Sequence, residues 1–348
     1  MSYSNILVET RGPVGLVTLN RPQALNALTL DMVRRLHAQL TRWRTDDAVT
    51  RVIVTAEGTR AFCAGGDIRW LYERGRAGHF DEALTFWREE YVLNGLIKTF
   101  PKPYVAIIDG IVMGGGVGIS VHGSHRVAGD RLLFAMPEVG IGFFPDVGST
   151  WFLPRLPGEI GTYCALTGAR LRADDAVAAG VAPHRVASDR LEDLLDALTG
   201  ATPVDAILGA FAETSAPGPV ASRRAAIDRL FAADRIEDIL ARLEAETGEH
   251  ESWARDTATG LRAMAPLSLK VALAQMRHGR DWSFEACMRA EFRLASRFAR
   301  DWDFFEGVRA VIIDKDNRPQ WKPARLEDVD DAEVERRFGP VENELVLS

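Results

Sequence analysis

Residues 104–118 read YVAIIDGIVMGGGVG, and this stretch decides the fold. Its first part, Tyr104–Ile108, is an almost continuous apolar run, which is typical of a parallel strand buried on both faces. The glycines at 114–116 follow shortly afterwards and predict a tight turn that opens a helix bearing Val117, Ile119 and Val121. A buried strand followed by a glycine turn and a helix indicates an α/β core.

The chain upstream of this stretch repeats the alternation. Apolar strands are predicted at Val14–Leu19 and Arg51–Thr55. Thr29 is the expected N-cap of the helix between them, because apolar residues then recur at helical spacing. A longer helix is predicted from Asp81 to about Phe100, where prolines stop it. These elements extend the α/β pattern to the beginning of the chain.

The chain downstream changes character near Gly200. Short strands are predicted at Arg126–Ala128 and Leu132–Ala135, whereas the last third is rich in Ala, Leu, Arg, Asp and Glu at helical spacing. We therefore divide the chain into a catalytic core over residues 1–200 and a helical region over residues 201–348.

Composition excludes several classes of protein. The 348 residues carry 42 basic and 49 acidic side chains, a net charge of −7, which argues against a broad nucleic-acid surface. The three cysteines form no C-x-x-C pair, and the first residues carry no basic, apolar leader. The longest apolar stretch is interrupted by Asp109 and glycines, so no membrane span is expected. We expect a cytoplasmic protein without nucleic-acid or membrane partners.

Two glycine-rich turns are candidates for binding a developing negative charge. They are Phe62–Ile68, with sequence FCAGGDI, and Met113–Gly118, with sequence MGGGVG. Each is placed to expose backbone N–H groups, and two converging N–H groups stabilise an oxyanion. Tight strand-to-helix turns without chemistry explain the same glycines equally well.

Carboxylates are the candidate acid–base groups. Glu138 and Asp146 lie in an apolar, Gly/Pro-rich segment, where burial would raise the pKa of Glu138 towards neutrality. As alternatives, Glu138 caps or salt-bridges structurally, and Asp146 is the N-cap of a helix that begins near Ser149. Glu90 lies on the predicted helix before Pro101, where an acidic side chain is usually solvated.

Other nucleophile and metal sites have weak support. His122 and His125 lack a third ligand nearby in sequence, so a structural use is expected for them. Cys63 has no neighbouring cation to lower its pKa, and the chain has no G-x-S-x-G elbow. Neither a metal site nor a serine-hydrolase triad is indicated.

Taken together, these segments resemble the crotonase, or enoyl-CoA hydratase/isomerase, superfamily. The matching pieces are Asn20–Pro22, Leu25–Leu28, Ala61–Ile68, Met113–Gly116 and Pro137–Glu138. The resemblance implies a spiral of β-β-α turns with a C-terminal helical region that closes the site or contacts neighbours. It implies acyl-CoA substrates and oxyanion donors at Gly66 and Gly115, with homo-oligomers common.

One departure points to a subgroup. Typical hydratases pair two glutamates, and the second of these positions is Gly118 here. The whole chain is more similar to the 3-hydroxyisobutyryl-CoA hydrolases, through runs such as FWREEY at 86–91, GFFPDVG at 142–148 and EGVRAVIIDKD at 306–316. The resemblance implies hydrolysis of that thioester, and of 3-hydroxypropionyl-CoA as a further substrate, in valine breakdown.

The resemblance also implies the role of each site residue. Glu138 attacks the thioester or activates water, Asp146 orients the water or the substrate hydroxyl, and Glu90 binds that hydroxyl. Coenzyme A would meet the Asn26–Ala27 turn, Ala64 and Arg69, and it is part of the substrate, with no further cofactor implied. Two alternatives stay open: an enoyl-CoA isomerase or hydratase that uses Glu138 alone, and a non-catalytic acyl-CoA-binding protein.

Overall fold

The computed structural model describes residues 4–347. The strands in this part of the chain are β1 (Ile6–Arg11), β2 (Val14–Leu19), β3 (Arg51–Ala56), β4 (Ala61–Cys63), β5 (Tyr104–Ile108), β6 (Ile111–Met113), β7 (His125–Ala128), β8 (Leu133–Ala135), β9 (Leu171–Arg172) and β10 (His184–Arg185). The α-helices are α1 (Leu30–Thr45), α2 (Ile68–Arg76), α3 (Phe80–Lys98), α4 (Gly115–Gly118), α5 (Ser149–Phe152), α6 (Ile160–Thr167), α7 (Ala173–Ala178), α8 (Leu191–Leu198), α9 (Val204–Phe211), α10 (Pro219–Ser222), α11 (Arg224–Leu230), α12 (Ile236–Glu244), α13 (Glu251–Ala263), α14 (Pro266–His278), α15 (Phe284–Phe298), α16 (Trp302–Val308) and α17 (Asp331–Arg337).

The strands form two sheets, and the strands from β3 to β8 alternate between them. The six-stranded sheet has the order β1-β2-β3-β5-β7-β10, and the four-stranded sheet has the order β4-β6-β8-β9. Neighbouring strands are parallel except for the pairs β1–β2 and β8–β9. From β3 to β8 each turn of the chain adds one strand to each sheet, and this confirms the predicted spiral of β-β-α turns.

Strand β5 has the central position that its apolar run predicts. It pairs with β3 on one side and with β7 on the other, and all of its residues are buried. Val105 and Ile107 face a small apolar cluster with α8 and α9, whereas Ala106 and Ile108 face the main core. The alternation follows from the two-residue period of a strand.

The predicted helices are present, with one correction. The Thr29 side chain accepts a hydrogen bond from the Met32 N–H at 3.2 Å, so the predicted N-cap is confirmed. The helix predicted from Asp81 to Phe100 spans Phe80–Lys98. The helix after the glycine turn is a single turn that ends before Ile119 and Val121. Three of its four residues are glycine, which has a low helix propensity, so the turn does not propagate.

The last third of the described chain is helical, as expected. The strands described within residues 4–347 all precede residue 200. Helix α9, however, packs with α8 against the outer face of the six-stranded sheet. The division of the chain at residue 200 therefore stays a prediction. Within the described range, no helix combines the length and apolar character that a membrane crossing requires.

Candidate active site

A cavity of about 580 Å³ lies between the two glycine turns and the C-terminal helical region. Its lining includes six of the residues predicted for the site: Ala64, Gly66, Glu90, Gly115, Glu138 and Asp146. Residues from four separate stretches of the sequence thus meet at one place. Most of the remaining wall is apolar, and it includes the aromatic side chains of Phe86, Trp87 and Phe143.

The two glycine turns approach each other closely. Gly65 has φ +117° and Gly114 has φ +46°, and glycine adopts both conformations without the strain of a side chain. A Cβ atom placed on Gly115 would lie 3.3 Å from the Gly66 nitrogen. Among residues 4–347, neither the Gly66 nor the Gly115 N–H donates a backbone hydrogen bond. Two neighbouring N–H groups are therefore available to one acceptor.

Glu138 begins a short 3₁₀ turn, Glu138–Ile141, just after strand β8. Its side chain is buried, Oε2 has no hydrogen-bond partner, and no ion pair holds it within the described chain. The structural roles considered as alternatives, a cap or a salt bridge, are thus not observed. Burial raises the pKa of Glu138 well above its ordinary value, and the Asp146 charge raises this pKa further.

Asp146 is held by a tyrosine instead of capping a helix. The Tyr91 hydroxyl donates to Asp146 Oδ2 at 2.8 Å. Helix α5 begins at Ser149 with Gly148 at the N-cap and no side-chain cap, so the N-cap alternative is wrong. Burial raises the pKa of Asp146 to about 7, while the hydrogen bond from Tyr91 opposes the shift.

Glu90 lies on the buried side of α3, and the expectation of a solvated side chain is wrong. Its neighbour Glu89 is partly exposed and pairs with Arg34 at 2.7 Å. Glu90 is 2% exposed and its Oε1 atom has no partner, although it lies against Gly115. Burial, followed by the Asp146 charge, raises the pKa of Glu90 well above its ordinary value.

The loop that carries Asp146 is fixed by distant residues. Val147 has φ +54°, a strained conformation for a β-branched residue. His122 Nε2 contacts the Val147 carbonyl oxygen at 2.7 Å. Glu291 accepts hydrogen bonds from the Gly148 and Thr150 N–H groups at 2.7 and 2.8 Å.

A further contact comes from helix α14, which precedes the helix that carries Glu291. Gln275 Nε2 donates to the Pro145 carbonyl oxygen at 2.9 Å and to Thr150 Oγ1 at 2.7 Å. We call this set of contacts from Gln275 and Glu291 the loop clamp. Burial raises the pKa of Glu291 to about 8. Sequence reasoning missed both residues, because they lie more than a hundred positions from the loop and carry no local motif.

Three residues predicted to bind coenzyme A lie outside the cavity lining. The Asn26 side chain donates to the Glu57 and Ala61 carbonyl oxygens and so fixes its own turn. Ala27 accepts a hydrogen bond from Arg21, and Arg69 donates to the Ile312 carbonyl oxygen at 3.2 Å. Their contact with coenzyme A stays a prediction.

The cavity lining adds residues that sequence reasoning did not single out. Arg170 supplies a basic side chain to the lining. Met264, Val311 and Ile312 line it from the C-terminal helical region. That region therefore forms part of the cavity wall, as the resemblance implied.

Cysteine and histidine chemistry is not supported at the site. Cys63 is fully buried, and burial raises its pKa to about 12, so its thiol is a poor nucleophile near neutral pH. His125 contacts Ser124 and Asp205 on the surface side. Between residues 4 and 347, no group of three His, Cys, Asp or Glu side chains is arranged to hold a metal ion.

The position of a second hydratase glutamate is blocked. A Cβ atom on Gly118 would lie 2.7 Å from Asn94 Nδ2 and 2.8 Å from Val147 Cβ. Contacts this short require neighbouring atoms to move, and the neighbours here are buried. The present packing therefore excludes a glutamate side chain at residue 118.

The alternating sheets, the paired glycine turns and the buried acids together fit an enzyme that stabilises an oxyanion beside carboxylates. The family model described as enoyl-CoA hydratase/isomerase matches residues 14–338. The chain belongs to this family.

Relatives named for a particular reaction are similar over almost the whole chain. The mitochondrial 3-hydroxyisobutyryl-CoA hydrolase of Danio rerio is 45% identical, covering 97% of this chain and 90% of the relative. The Homo sapiens protein of the same name is 42% identical, covering 96% and 88%. Among solved structures, a carnitinyl-CoA dehydratase from Mycobacterium thermoresistibile has a TM-score of 0.93 at 42% identity, with 99% of each chain covered. An enoyl-CoA hydratase from Rhodobacter sphaeroides 2.4.1 has a TM-score of 0.91 at 40% identity, covering 99% and 100%.

Proposed function

We propose that this protein hydrolyses the thioester of 3-hydroxyisobutyryl-CoA to the free hydroxy acid and coenzyme A. The observation that carries the proposal is the grouping of Glu90, Glu138 and Asp146 in one buried cavity, beside two unused N–H groups. The hydrolases of that name are 41–45% identical to this chain. The protein is thus an acyl-CoA thioester hydrolase.

The substrate carbonyl binds at the glycine turns. The Gly66 and Gly115 N–H groups act as the oxyanion hole, because they are adjacent and have no other backbone partner. They donate to the oxygen as it gains charge in the tetrahedral intermediate, and losing one such donor typically slows a reaction by ~10²–10³-fold.

Glu138 acts on the carbonyl carbon as an ionised carboxylate. In one route it attacks the thioester, coenzyme A leaves as a thiol, and water hydrolyses the mixed anhydride. In the other route it removes a proton from an attacking water. Both routes use the Oε2 atom, which has no hydrogen-bond partner among residues 4–347.

Asp146 and Glu90 select the hydroxylated acyl group. Asp146 orients the water or the 3-hydroxyl, while the Tyr91 hydroxyl holds one of its oxygens. Glu90 offers its unpartnered Oε1 atom to the 3-hydroxyl of the substrate. An acyl chain without this hydroxyl leaves buried carboxylates unpaired, which disfavours it.

Coenzyme A occupies the cavity mouth. We assign phosphate contact to Arg170, because it is a basic side chain in the lining, and retain Arg69 and the Asn26–Ala27 turn as predicted contacts. Ala64 lies beside the oxyanion donors and faces the thioester end. The chemistry uses carboxylates, N–H groups and water, with coenzyme A entering as part of the substrate.

A second candidate activity is hydration or isomerisation by Glu138 alone. The names of the two most similar solved structures given above favour it. The blocked position at Gly118 argues against water addition by two glutamates. We therefore rank thioester hydrolysis first.

The cellular setting extends the proposal. Release of this hydroxy acid belongs to valine breakdown, and 3-hydroxypropionyl-CoA, which keeps the hydroxyl, is a second expected substrate. The cytoplasm and a homo-oligomeric state remain predictions, whereas the names of the vertebrate relatives place those proteins in mitochondria. The three cysteines are free and buried, which is consistent with a reducing compartment.

The test is thiol release from four thioesters measured in parallel: 3-hydroxyisobutyryl-CoA, 3-hydroxypropionyl-CoA, isobutyryl-CoA and crotonyl-CoA. We expect fast release from the two hydroxyacyl thioesters and slow release from the other two. Loss of crotonyl-CoA absorbance without thiol release would instead identify a hydratase. Saturable binding of all four without turnover would identify a non-catalytic binding protein.

A further inference from the structure

A second cavity, of about 380 Å³, lies next to the loop that carries Asp146. Trp151 and Phe152, which follow that loop, form part of its wall, together with His122. Three basic residues, Lys98, Arg126 and Arg155, also line it, and its lining contains no Asp or Glu. We call this space the basic cavity. It is separate from the cavity that holds the acids, and the two share no lining residue.

The charges of the basic cavity are not neutralised by carboxylates. Within residues 4–347, none of the three basic residues forms an ion pair. Arg126 donates to the Gly123, Gly180 and Val181 carbonyl oxygens, which fix its position. Arg155 is fixed in the same way by carbonyl oxygens, including those of Trp151 and Gly279. The chain as a whole carries a net charge of −7, so this cavity gathers positive charge against the overall balance.

The Lys98 ammonium keeps its N–H donors available for a ligand. Its ammonium lies 3.8 Å from the centroid of the Trp151 ring, and no hydrogen bond from it is found in the described chain. Burial lowers the pKa of Lys98, and the Arg126 and Arg155 charges lower it further. A bound anion would relieve this like-charge repulsion and use the free N–H donors.

His122 adds a buried acceptor to the same cavity. Its Nε2 atom donates to the Val147 carbonyl oxygen, so the neutral ring keeps Nδ1 as an acceptor. Nδ1 has no partner within residues 4–347, although His122 is only 5% exposed. Burial lowers the pKa of His122 to about 4, so the ring is neutral at physiological pH. An O–H group on the ligand would satisfy this atom.

We propose that the basic cavity binds a phosphate group, with Lys98 and Arg126 as donors to its oxygens. Arg155 contributes positive charge, and His122 Nδ1 accepts from the O–H of a monohydrogen phosphate. Free inorganic phosphate and the terminal phosphate of a nucleotide share this chemistry. The proposal does not depend on the thioester hydrolysis proposed above, because it concerns a different set of residues.

The test is thermal unfolding of the intact protein titrated with inorganic phosphate at constant ionic strength. A ligand that binds only the folded state stabilises that state by RT ln(1 + [L]/Kd), so Tm rises once the ligand concentration exceeds Kd. We expect Tm of the wild type to rise with phosphate, and Lys98→Gln to weaken apparent binding about tenfold, since a charge-assisted hydrogen bond is lost. Because Lys98 makes no hydrogen bond to any described residue, this variant should fold, and Lys98→Met serves as a second version.

The matched control is Lys322→Gln. Lys322 also lies over a tryptophan ring, 3.7 Å from the Trp302 centroid, but outside the basic cavity. This variant should keep the wild-type response to phosphate. An equal response of wild type and Lys98→Gln would overturn the proposal, as would an equal response to sodium chloride.

Two further measurements distinguish a nucleotide phosphate from free phosphate, and both of these from a second copy of the chain. If adenosine monophosphate raises Tm more than inorganic phosphate does, and Lys98→Gln loses the difference, the ligand is a nucleotide phosphate. Equal effects of the two identify the free anion. A sedimentation change in Lys98→Gln, with no effect of either phosphate compound on the wild type, would mean that a second copy of the chain covers the cations and would contradict the proposal.

Discussion

At the scale of single residues, the unusual feature is several carboxylates buried together without a cation among their partners. Glu90, Glu138 and Asp146 all have raised pKa values, with burial as the main cause. Because Glu138 must be ionised to act, kcat/KM should increase with pH as Glu138 ionises, at a higher pH than an ordinary glutamate would require. Because Glu138 is buried beside other acids, the charges of those neighbours should affect the pH dependence of activity.

Asp146→Asn should shift this pH profile to lower pH. The Asp146 charge raises the pKa of Glu138, so removing that charge lets Glu138 ionise at a lower pH. The asparagine can still accept from Tyr91, which keeps the local packing. The measurement is the pH dependence of residual kcat/KM for thiol release. An unchanged apparent pKa in this variant would show that the two groups do not interact.

Glu90→Gln should reduce discrimination between substrates. An amide has one acceptor oxygen and no charge, so the 3-hydroxyl loses its strongest partner. We expect kcat/KM for 3-hydroxyisobutyryl-CoA to fall about 10-fold or more, with a smaller effect on isobutyryl-CoA. Glu89→Gln is the matched control, because the Glu89 side chain is partly exposed, pairs with Arg34 and does not line the cavity. Equal losses for both thioesters would contradict the assignment of Glu90 to the hydroxyl.

Residue identity was more predictable than residue environment. Glu138, Asp146 and the two glycine turns could be singled out because Gly, Pro and acidic residues stand out locally in an apolar segment. Glu90 could not be recognised as buried from spacing, because Glu89 and Glu90 are chemically identical and only the docking of α3 decides which one faces the core. The burial of a charged side chain is a tertiary property.

At the scale of elements, the catalytic loop depends on two helices that follow much later in the chain. Helix α15 supplies Glu291 and α14 supplies Gln275 to the loop clamp. The positive φ of Val147 is maintained by these contacts and by His122. Local patterns predicted a helical region over residues 201–348. No local pattern specifies that a loop pairs with a carboxylate more than a hundred residues away.

Glu291→Gln should impair catalysis, although Glu291 does not line the cavity that binds the substrate. The amide keeps one oxygen for two N–H groups, so one donor of the loop loses its partner and Asp146 shifts. We expect kcat to fall about tenfold or more, with a smaller change in KM. Glu285→Gln, on the exposed face of the same helix, should behave as wild type. Wild-type kcat in Glu291→Gln would show that the loop is held without this residue.

At the scale of the whole molecule, the buried acids affect stability as well as activity. A carboxyl with a raised pKa in the folded state favours folding when protonated, so its contribution is lost as pH rises from the unfolded towards the folded pKa. For Asp146 this interval runs from 3.8 to about 7. Acids with lowered pKa values, such as the exposed Asp130 and the ion-paired Glu306, act in the opposite direction. Comparing wild type with a variant of one buried acid isolates the contribution of that acid to stability, because all other acids are the same in both proteins.

Asp146→Asn should therefore be more stable than wild type at alkaline pH. The gain should be on the order of 2–4 kcal/mol at about pH 8 and small at about pH 4, since a pKa unit corresponds to about 1.4 kcal/mol. Urea unfolding at both pH values measures it. A difference that does not change with pH would mean that Asp146 has an ordinary pKa in the folded protein.

The spiral architecture explains why a site of this kind forms. Each turn of chain from β3 to β8 ends in a connection near the cavity, and the C-terminal helical region closes it through Met264 and the Val311–Ile312 segment. Strand periodicity and glycine placement made the core predictable. The covering by the last third of the chain was available only from the family resemblance, because helical periodicity does not specify where a helix docks.

The central claim, that Glu138 drives hydrolysis of a 3-hydroxyacyl thioester, has one direct measurement. It is the rate of coenzyme A release from 3-hydroxyisobutyryl-CoA by wild type and by Glu138→Gln, with folding of both checked by circular dichroism. We predict rapid release by the wild type and a loss of at least ~10³-fold in the variant, as for removal of a nucleophile or general base. Equal turnover by the two proteins would contradict the account.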